Sequence, residues 1–148
     1  MYTSISNGQG SLRQVGLNLY LNEACQLDTV SFSRENFSCS DIGTIKVALT
    51  AIDGEGNRKD DSINVDVLDT IPPSLVNQNL TVYLDGSGTA TITTNDVNQL
   101  TADVCGVDTL YLDQYNFACA DVGVNTVTLT AVDLNGTMGT GTAQVTGN

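Results

Sequence analysis

Val47-Ala48-Leu49-Thr50-Ala51-Ile52-Asp53-Gly54-Glu55-Gly56 returns eighty positions later as Val127-Thr128-Leu129-Thr130-Ala131-Val132-Asp133-Leu134-Asn135-Gly136. The correspondence extends in both directions. Upstream, Cys25, Asp28-Thr29, Asn36-Phe37, Cys39, Asp41 and Gly43 match Cys105, Asp108-Thr109, Asn116-Phe117, Cys119, Asp121 and Gly123, and fifteen of the 44 positions from Cys25 to Leu68 are identical without a gap. With a two-residue shift, Asn7-Gly8-Gln9-Gly10 also lies on Asp85-Gly86-Ser87-Gly88. Self-similarity at a fixed period marks a tandem repeat. The first copy occupies 1–70 and the second 71–148. The first lacks only the segment that precedes Leu80 in the second, so the chain reads as an excerpt from a longer array, with Met1 as an added initiator.

Each copy is written in strands. Leu80-Thr81-Val82-Tyr83-Leu84, Thr89-Ala90-Thr91-Ile92-Thr93-Thr94, Thr109-Leu110-Tyr111-Leu112 and Thr142-Ala143-Gln144-Val145 are short, alternating or β-branched runs, the period-2 signal of half-buried strands. Asp85-Gly86-Ser87-Gly88 and Leu134-Asn135-Gly136 read as hairpin turns. No segment sustains an apolar period of 3.6. About six or seven strands in roughly 75 to 80 residues suit a small β-sandwich, so the expected fold is all-β, two tandem immunoglobulin-like sandwiches. The two prolines of the chain, Pro72 and Pro73, fall between the copies. Proline fixes its own φ and restricts its predecessor, which predicts a short, stiff linker and an extended arrangement.

Together, Phe-x-Cys-x-Asp-x-Gly at 37–43 and 117–123, Val-x-Leu-Thr-Ala-x-Asp-x-x-Gly at 47–56 and 127–136, and Asp69-Thr70-Ile71-Pro72-Pro73 opening the second copy resemble the tandem Ig-like repeats, related to hyalin-repeat and polycystic-kidney-disease-type domains, of giant Bacteroidota surface proteins. The resemblance covers essentially the whole chain. Such repeats occur in gliding-motility adhesins, which implies a stalk or display module on the cell exterior. The first copy departs from the pattern at Gly16-Leu17-Asn18-Leu19-Tyr20-Leu21.

Charge narrows the function further. Seventeen acidic residues face five basic ones, for a net charge of -12, and no Lys or Arg follows Lys59. Phosphate backbones and anionic membranes are repelled, which argues against nucleic-acid binding and against direct membrane insertion. Carboxylates without protein cations are left to solvent or to divalent cations, and calcium is the natural candidate. Two locations are considered. Asp53, Glu55 and Asn57 place three oxygen side chains at alternate positions of one loop, although the distal Glu of an EF-hand is missing and the same residues suit a self-bonded glycine-rich hairpin. At the junction, sandwich geometry predicts that Asp96, Asp103 and Asp133 surround the linker, joined by Asp69 from the linker and Asp41 from a corner loop of the first copy. Calcium would stiffen that joint; the competing reading is a solvated acidic surface on a flexible hinge. Asp41 and Asp121 also suit a plain corner turn.

Cys25 with Cys39, and Cys105 with Cys119, are each separated by thirteen residues, and the chain has no His. The spacing matches neither zinc nor redox motifs. One disulfide per repeat is expected, in an extracellular or cell-surface setting, with reduced buried thiols as the alternative. No His base, nucleophile elbow or phosphate loop is present, so the chain is read as non-enzymatic. Threonine runs are explained by the wet faces of strands rather than by ice binding, and an isopeptide crosslink is improbable without a Lys in the second copy. The expected function is a structural or adhesive repeat, its partners being neighbouring repeats of the same chain and a surface or glycan ligand. A carbohydrate-binding accessory module is the alternative, which exposed rings at Tyr111 and Tyr115 would favour.

Overall fold

The structure is a computed structural model and describes residues 2–5, 8–11 and 27–148. Cys25 and the divergent stretch 16–21 lie outside the described residues. The chain divides into two compact units, Met1–Thr70 and Ile71–Asn148. Both are built from strands, and the all-β fold is as expected.

In unit 1, β1 (Tyr2–Ile5), β2 (Gly10–Ser11), β3 (Leu27–Phe32), β4 (Asn36–Phe37), β5 (Gly43–Asp53) and β6 (Arg58–Val67) form a four-stranded sheet of order β1-β6-β5-β3 and a small β2-β4 pair. β5 and β6 are antiparallel from Gly43↔Val67 to Ile52↔Arg58, and β1 runs parallel to β6 at the edge. Unit 2 contains β7 (Ser74–Asn77), β8 (Leu80–Val82), β9 (Thr89–Thr91), the one-turn helix α1 (Thr94–Val97), β10 (Asn98–Ala102), β11 (Val107–Leu112), β12 (Asn116–Ala118), β13 (Gly123–Asp133) and β14 (Met138–Gly147). Its main sheet, β11-β13-β14-β8, repeats the unit 1 pattern down to the parallel edge strand, and the β9-β12 pair repeats β2-β4. β7 pairs with β10.

Alternation explains the layers. On β13, Val127, Leu129 and Ala131 are fully buried at every second position, and on β14 Ala143 and Val145 do the same. Val127, Leu129, Ala143 and Val145 meet Ile92, Val97 and Phe117 from the opposite layer in one apolar core. Unit 1 has the matching core of Phe37, Val47, Ile63, Val65 and Val67. A fully buried side chain of this size stabilises by about 1.5–3 kcal/mol relative to exposure. Gly139 and Gly141 let β7 cross β14 closely: a Cβ at Gly139 would run into the Pro73 carbonyl, and one at Gly141 would sit 2.7 Å from Asn77 Nδ2.

One expected hairpin is only a turn. Asp85-Gly86-Ser87-Gly88 reverses the chain, with Gly88 N–H donating to the Asp85 carbonyl at 2.9 Å. The strands that it joins, β8 and β9, belong to different sheets. Local turn chemistry marks where a chain reverses but not which partner the next strand takes. Leu134-Asn135-Gly136, in contrast, closes the β13-β14 hairpin.

Candidate metal centre

The inward row of β13 does not end with its core. One step beyond Val127, Leu129 and Ala131, the same face carries Asp133, which is 2% exposed. The period of 2 therefore puts a carboxylate where the strand would otherwise place another aliphatic group. Its Oδ1 accepts the backbone N–H groups of Asn135 and Thr137, both at 2.8 Å, which builds the hairpin turn. Its Oδ2 is buried and receives no hydrogen bond.

Asp103 repeats this arrangement in the loop between β10 and β11. Its Oδ1 accepts N–H from Cys105 at 2.8 Å and Gly106 at 3.1 Å, and its Oδ2 is buried without a donor. Gly106 adopts a φ of 101°, a conformation that glycine reaches without strain. Its carbonyl accepts Leu134 N–H at 3.4 Å, tying the loop to the hairpin. A bulge follows between Val107 and Thr109.

Asp69 continues the inward alternation of Ile63, Val65 and Val67 and is 6% exposed. Carboxylate oxygens of Asp103 and Asp133, both in unit 2, lie within 4.8 Å of one another. A buried carboxylate oxygen without a donor is costly, and two together repel. A calcium ion, with oxygen ligands at about 2.3–2.6 Å, spans oxygen pairs up to about 5 Å apart, so the Asp103 and Asp133 carboxylates could share one ion. Magnesium, at about 2.0–2.1 Å, requires tighter spacing.

The other candidates are engaged elsewhere. Asp96 caps α1: its Oδ2 accepts the N–H and the hydroxyl of Thr93, both at 2.7 Å, and these bonds hold its pKa below the ordinary carboxylate value. Asp41 accepts from the Arg34 guanidinium, from Ser38 N–H at 2.8 Å and from the Ser38 hydroxyl at 3.1 Å, and the Arg34 bond contributes most to lowering its pKa. Both follow a Ser or Thr by three positions, a capping-box signature legible in the sequence. Asp53 binds its own hairpin, Oδ1 taking Glu55 N–H and Asn57 N–H at 2.9 Å each and Oδ2 taking the Asn57 side-chain amide at 2.9 Å. Glu55 and Asn57 are exposed, and the loop is a self-satisfied turn.

The cysteines require a correction. Cys39 and Cys105 are disulfide-bonded, whereas Cys119 carries a free, exposed thiol, so the expected Cys105–Cys119 bridge is absent. The topology forbids it. Cys105 lies beside Val107, which pairs with Asp133 at one end of β13, and Cys119 lies beside Gly123 at the other. An 11-residue strand spans roughly 35 Å, against the 7 Å or so that a disulfide tolerates between Cα atoms. The equal spacing reflects the repeat and does not pair Cys105 with Cys119 in the second copy.

Tyr111 and Tyr115 are 42% and 38% exposed. Tyr111 lies on β11, and the Tyr115 hydroxyl is tied back by accepting Leu112 N–H at 2.9 Å. No helix among the described residues is long and apolar enough to cross a membrane.

No family model matches the chain, and no curated protein matches it. Among solved structures it is similar to extracellular domains 1–3 of protocadherin gamma C5, with a TM-score of 0.41 and 14% identity over 100% of this chain and 65% of that one. It is similar also to extracellular cadherin domains 1–4 of protocadherin gamma B7, at 0.39 and 15% over 99% and 49%. For immunoglobulin domains 1–4 of Sidekick-1 the values are 0.31 and 14% over 99% and 49%. The chain spans half or less of the first two solved chains that it matches. These neighbours are cadherin and Ig-like extracellular domains.

Proposed function

We propose that the chain is a structural and adhesive repeat module of a secreted or cell-surface bacterial adhesin, of the kind found in giant Bacteroidota surface proteins including gliding-motility adhesins, and that calcium bound by Asp103 and Asp133 of unit 2 stiffens it. The observation that carries the metal reading is the Asp133 carboxylate, buried at the end of a core-facing row with Oδ2 lacking any donor and the Asp103 carboxylate in reach. No basic residue follows Lys59 to neutralise them. The ion would supply charge neutralisation and a fixed geometry where the β10–β11 loop meets the β13–β14 hairpin of unit 2. The remaining ligands of a six- to eight-coordinate calcium would be water or backbone carbonyls. The presence of disulfide-bonded cysteine supports an oxidising, extracellular setting.

Thermal unfolding in excess EDTA, then in millimolar calcium or magnesium, tests the metal reading. A calcium-specific rise of several degrees is expected, because a ligand of the folded state alone stabilises it by mass action. Identical curves in EDTA and calcium would sink the stiffening mechanism.

One observation favours the alternative of a carbohydrate-binding module: the rings of Tyr111 and Tyr115 are exposed. Titration with soluble glycans, read by tyrosine fluorescence and compared with Tyr111→Ala, separates the two readings. Saturable binding lost in the variant would favour glycan recognition, and a flat titration favours the stalk.

A further inference from the structure

The tip of the β13–β14 hairpin carries a chemistry that ion binding does not use. It reads Asp133-Leu134-Asn135-Gly136-Thr137, with Leu134, Asn135 and Gly136 exposed. The Asn135 backbone N–H is held by Asp133 Oδ1 at 2.8 Å, whereas its side-chain amide makes no hydrogen bond among the described residues. Gly136 follows at a φ of 88°, and a Cβ built there would meet nothing within 4 Å. We infer that Asn135 is a site of spontaneous deamidation in the folded protein, and that its isoaspartate product dismantles the turn that holds Asp133.

Asparagine is chemically labile because its side-chain amide lies within reach of the next backbone nitrogen. The Gly136 nitrogen gives its proton to water and attacks Asn135 Cγ; a C–N bond forms, and the amide nitrogen leaves as ammonia. Water then opens the resulting cyclic imide by breaking one of its two ring C–N bonds. Opening at the side-chain carbonyl gives aspartate. Opening at the main-chain carbonyl gives isoaspartate, in which the backbone runs on through the side chain. One amide and one water become one carboxylic acid and one ammonia, so water is the sole co-reactant. A side chain on the following residue would crowd the attacking nitrogen, and glycine has none.

The bond that the attacking nitrogen must give up is the longest in the turn. Gly136 N–H reaches the Asp133 carbonyl at 3.2 Å, against 3.0 Å from Asp133 N–H to the Thr137 carbonyl and 2.8 Å for each bond to Asp133 Oδ1. Other asparagines are engaged. Asn125 donates its amide to the carbonyls of Asp121 and Gly123, Asn57 donates to Asp53, and Asn79 Oδ1 accepts Gln144 N–H at 2.8 Å. In the unit 1 hairpin the place of Asn135 is taken by Glu55, which has no amide to lose. Isoaspartate inserts one carbon into the backbone between the N–H groups of residues 135 and 137, both of which hold Asp133 Oδ1. So short a turn has no slack for that carbon, and its bonds cannot all survive. Either product also adds a negative charge to a hairpin without Lys or Arg.

Protein aged for weeks in warm neutral buffer with EDTA, then digested with a protease cleaving before Asp, reads the reaction directly. Peptide 133–148 should gain about 1 Da as an amide becomes an acid, with fragment ions placing the change at residue 135. The aspartate product is cut again to give 135–148, whereas the isoaspartate product is not. Peptide 121–132, which contains Asn125, should keep its mass. A synthetic 133–148 peptide sets the unrestrained rate, and the folded protein should react within about tenfold of it, the factor that one hydrogen bond is worth. Peptide 133–148 of unchanged mass in the aged protein would overturn the inference, as would an equal mass gain in Asn135→Gln. The isoaspartate form, separated by ion exchange, should melt below both fresh protein and Asn135→Asp, which carries the charge without the extra carbon. An isoaspartate form that melts together with Asn135→Asp would overturn the effect assigned to the turn. No readout involves calcium, so this inference and the metal site can fail separately.

Discussion

Replacing Asp133 by Asn tests the metal site by a change of sign. Asn keeps the Oδ1 acceptor for the two turn N–H groups and places an amide donor where the unpartnered Oδ2 stands. With the Asp103 and Asp133 carboxylate oxygens within 4.8 Å of one another, the like-charge pair costs about 3.5 kcal/mol at an effective dielectric constant near 20. Asp103 is only partly buried, so solvent screens part of it. If a third of that cost survives, about 1 kcal/mol, the variant melts roughly 4–8 °C above the parent in EDTA. Calcium at a hundred times its Kd returns about 2.7 kcal/mol to the parent and little to the variant. The ranking should therefore close or reverse between EDTA and calcium in parallel calorimetric scans. A variant that is less stable by the same amount in both buffers would refute the reasoning, leaving Asp133 as a turn residue alone.

Further consequences concern the caps and the core. Asp41, Asp53, Asp60, Asp85 and Asp96 all titrate below the ordinary value of 3.8 because they accept hydrogen bonds, from Arg34, Asn57, Arg58, Thr89 and Thr93 first in each case. Depressed folded values stabilise fully above 3.8 and lose that contribution as pH falls through them, so melting temperatures taken from pH 5 to pH 2 should drop most steeply below 3.8, and less so in Asp96→Asn. Gly139→Ala drives a Cβ into the Pro73 carbonyl and should cost about 1–3 kcal/mol in urea unfolding, whereas Gly86→Ala, with open space around it, should be close to neutral. Phe117→Ala empties the centre of the unit 2 core and should cost about 3–5 kcal/mol by the same assay.

The strands were legible because alternation is written residue by residue: Val127, Leu129 and Ala131 announce a buried face, and that face is the one observed. Pairing between strands was less so. Asp85-Gly86-Ser87-Gly88 has hairpin chemistry, yet β9 joins β12 because the Phe117 and Ile92 side chains fill a core that the turn itself does not see. For the metal site, net charge pointed to a cation but could not rank fourteen aspartates. What ranks them is local: Asp41 and Asp96 sit three residues after a hydroxyl and are consumed as caps, while Asp133 extends a core row into burial. The Cys105–Cys119 pairing was misread because a spacing repeated along the chain carries no information on which end of a sandwich each residue occupies; the register of β13 supplies it.

The same repeat also explains why one hairpin aspartate is a candidate ligand and its twin is not. Asp53 and Asp133 occupy equivalent positions, follow equivalent core rows and accept equivalent turn N–H groups. They differ in the residue four positions on. Asn57 donates its amide to Asp53 Oδ2 at 2.9 Å, whereas its counterpart is Thr137, whose side chain carries no amide, and Asp133 Oδ2 receives no hydrogen bond. An internal amide thus takes in unit 1 the lone pairs that unit 2 leaves without a donor. Thr137→Asn should transplant that amide and cancel the calcium-dependent rise in Tm without changing net charge, while raising stability in EDTA by about 1–2 kcal/mol, as expected for one hydrogen bond to a charged acceptor. A charge-conserving loss of the calcium response separates ligation from general acidity, which Asp133→Asn alone does not. A Thr137→Asn protein that keeps the full response would show that Asp133 Oδ2 is not the ligand and that the cation, if bound, is held elsewhere on the acidic surface.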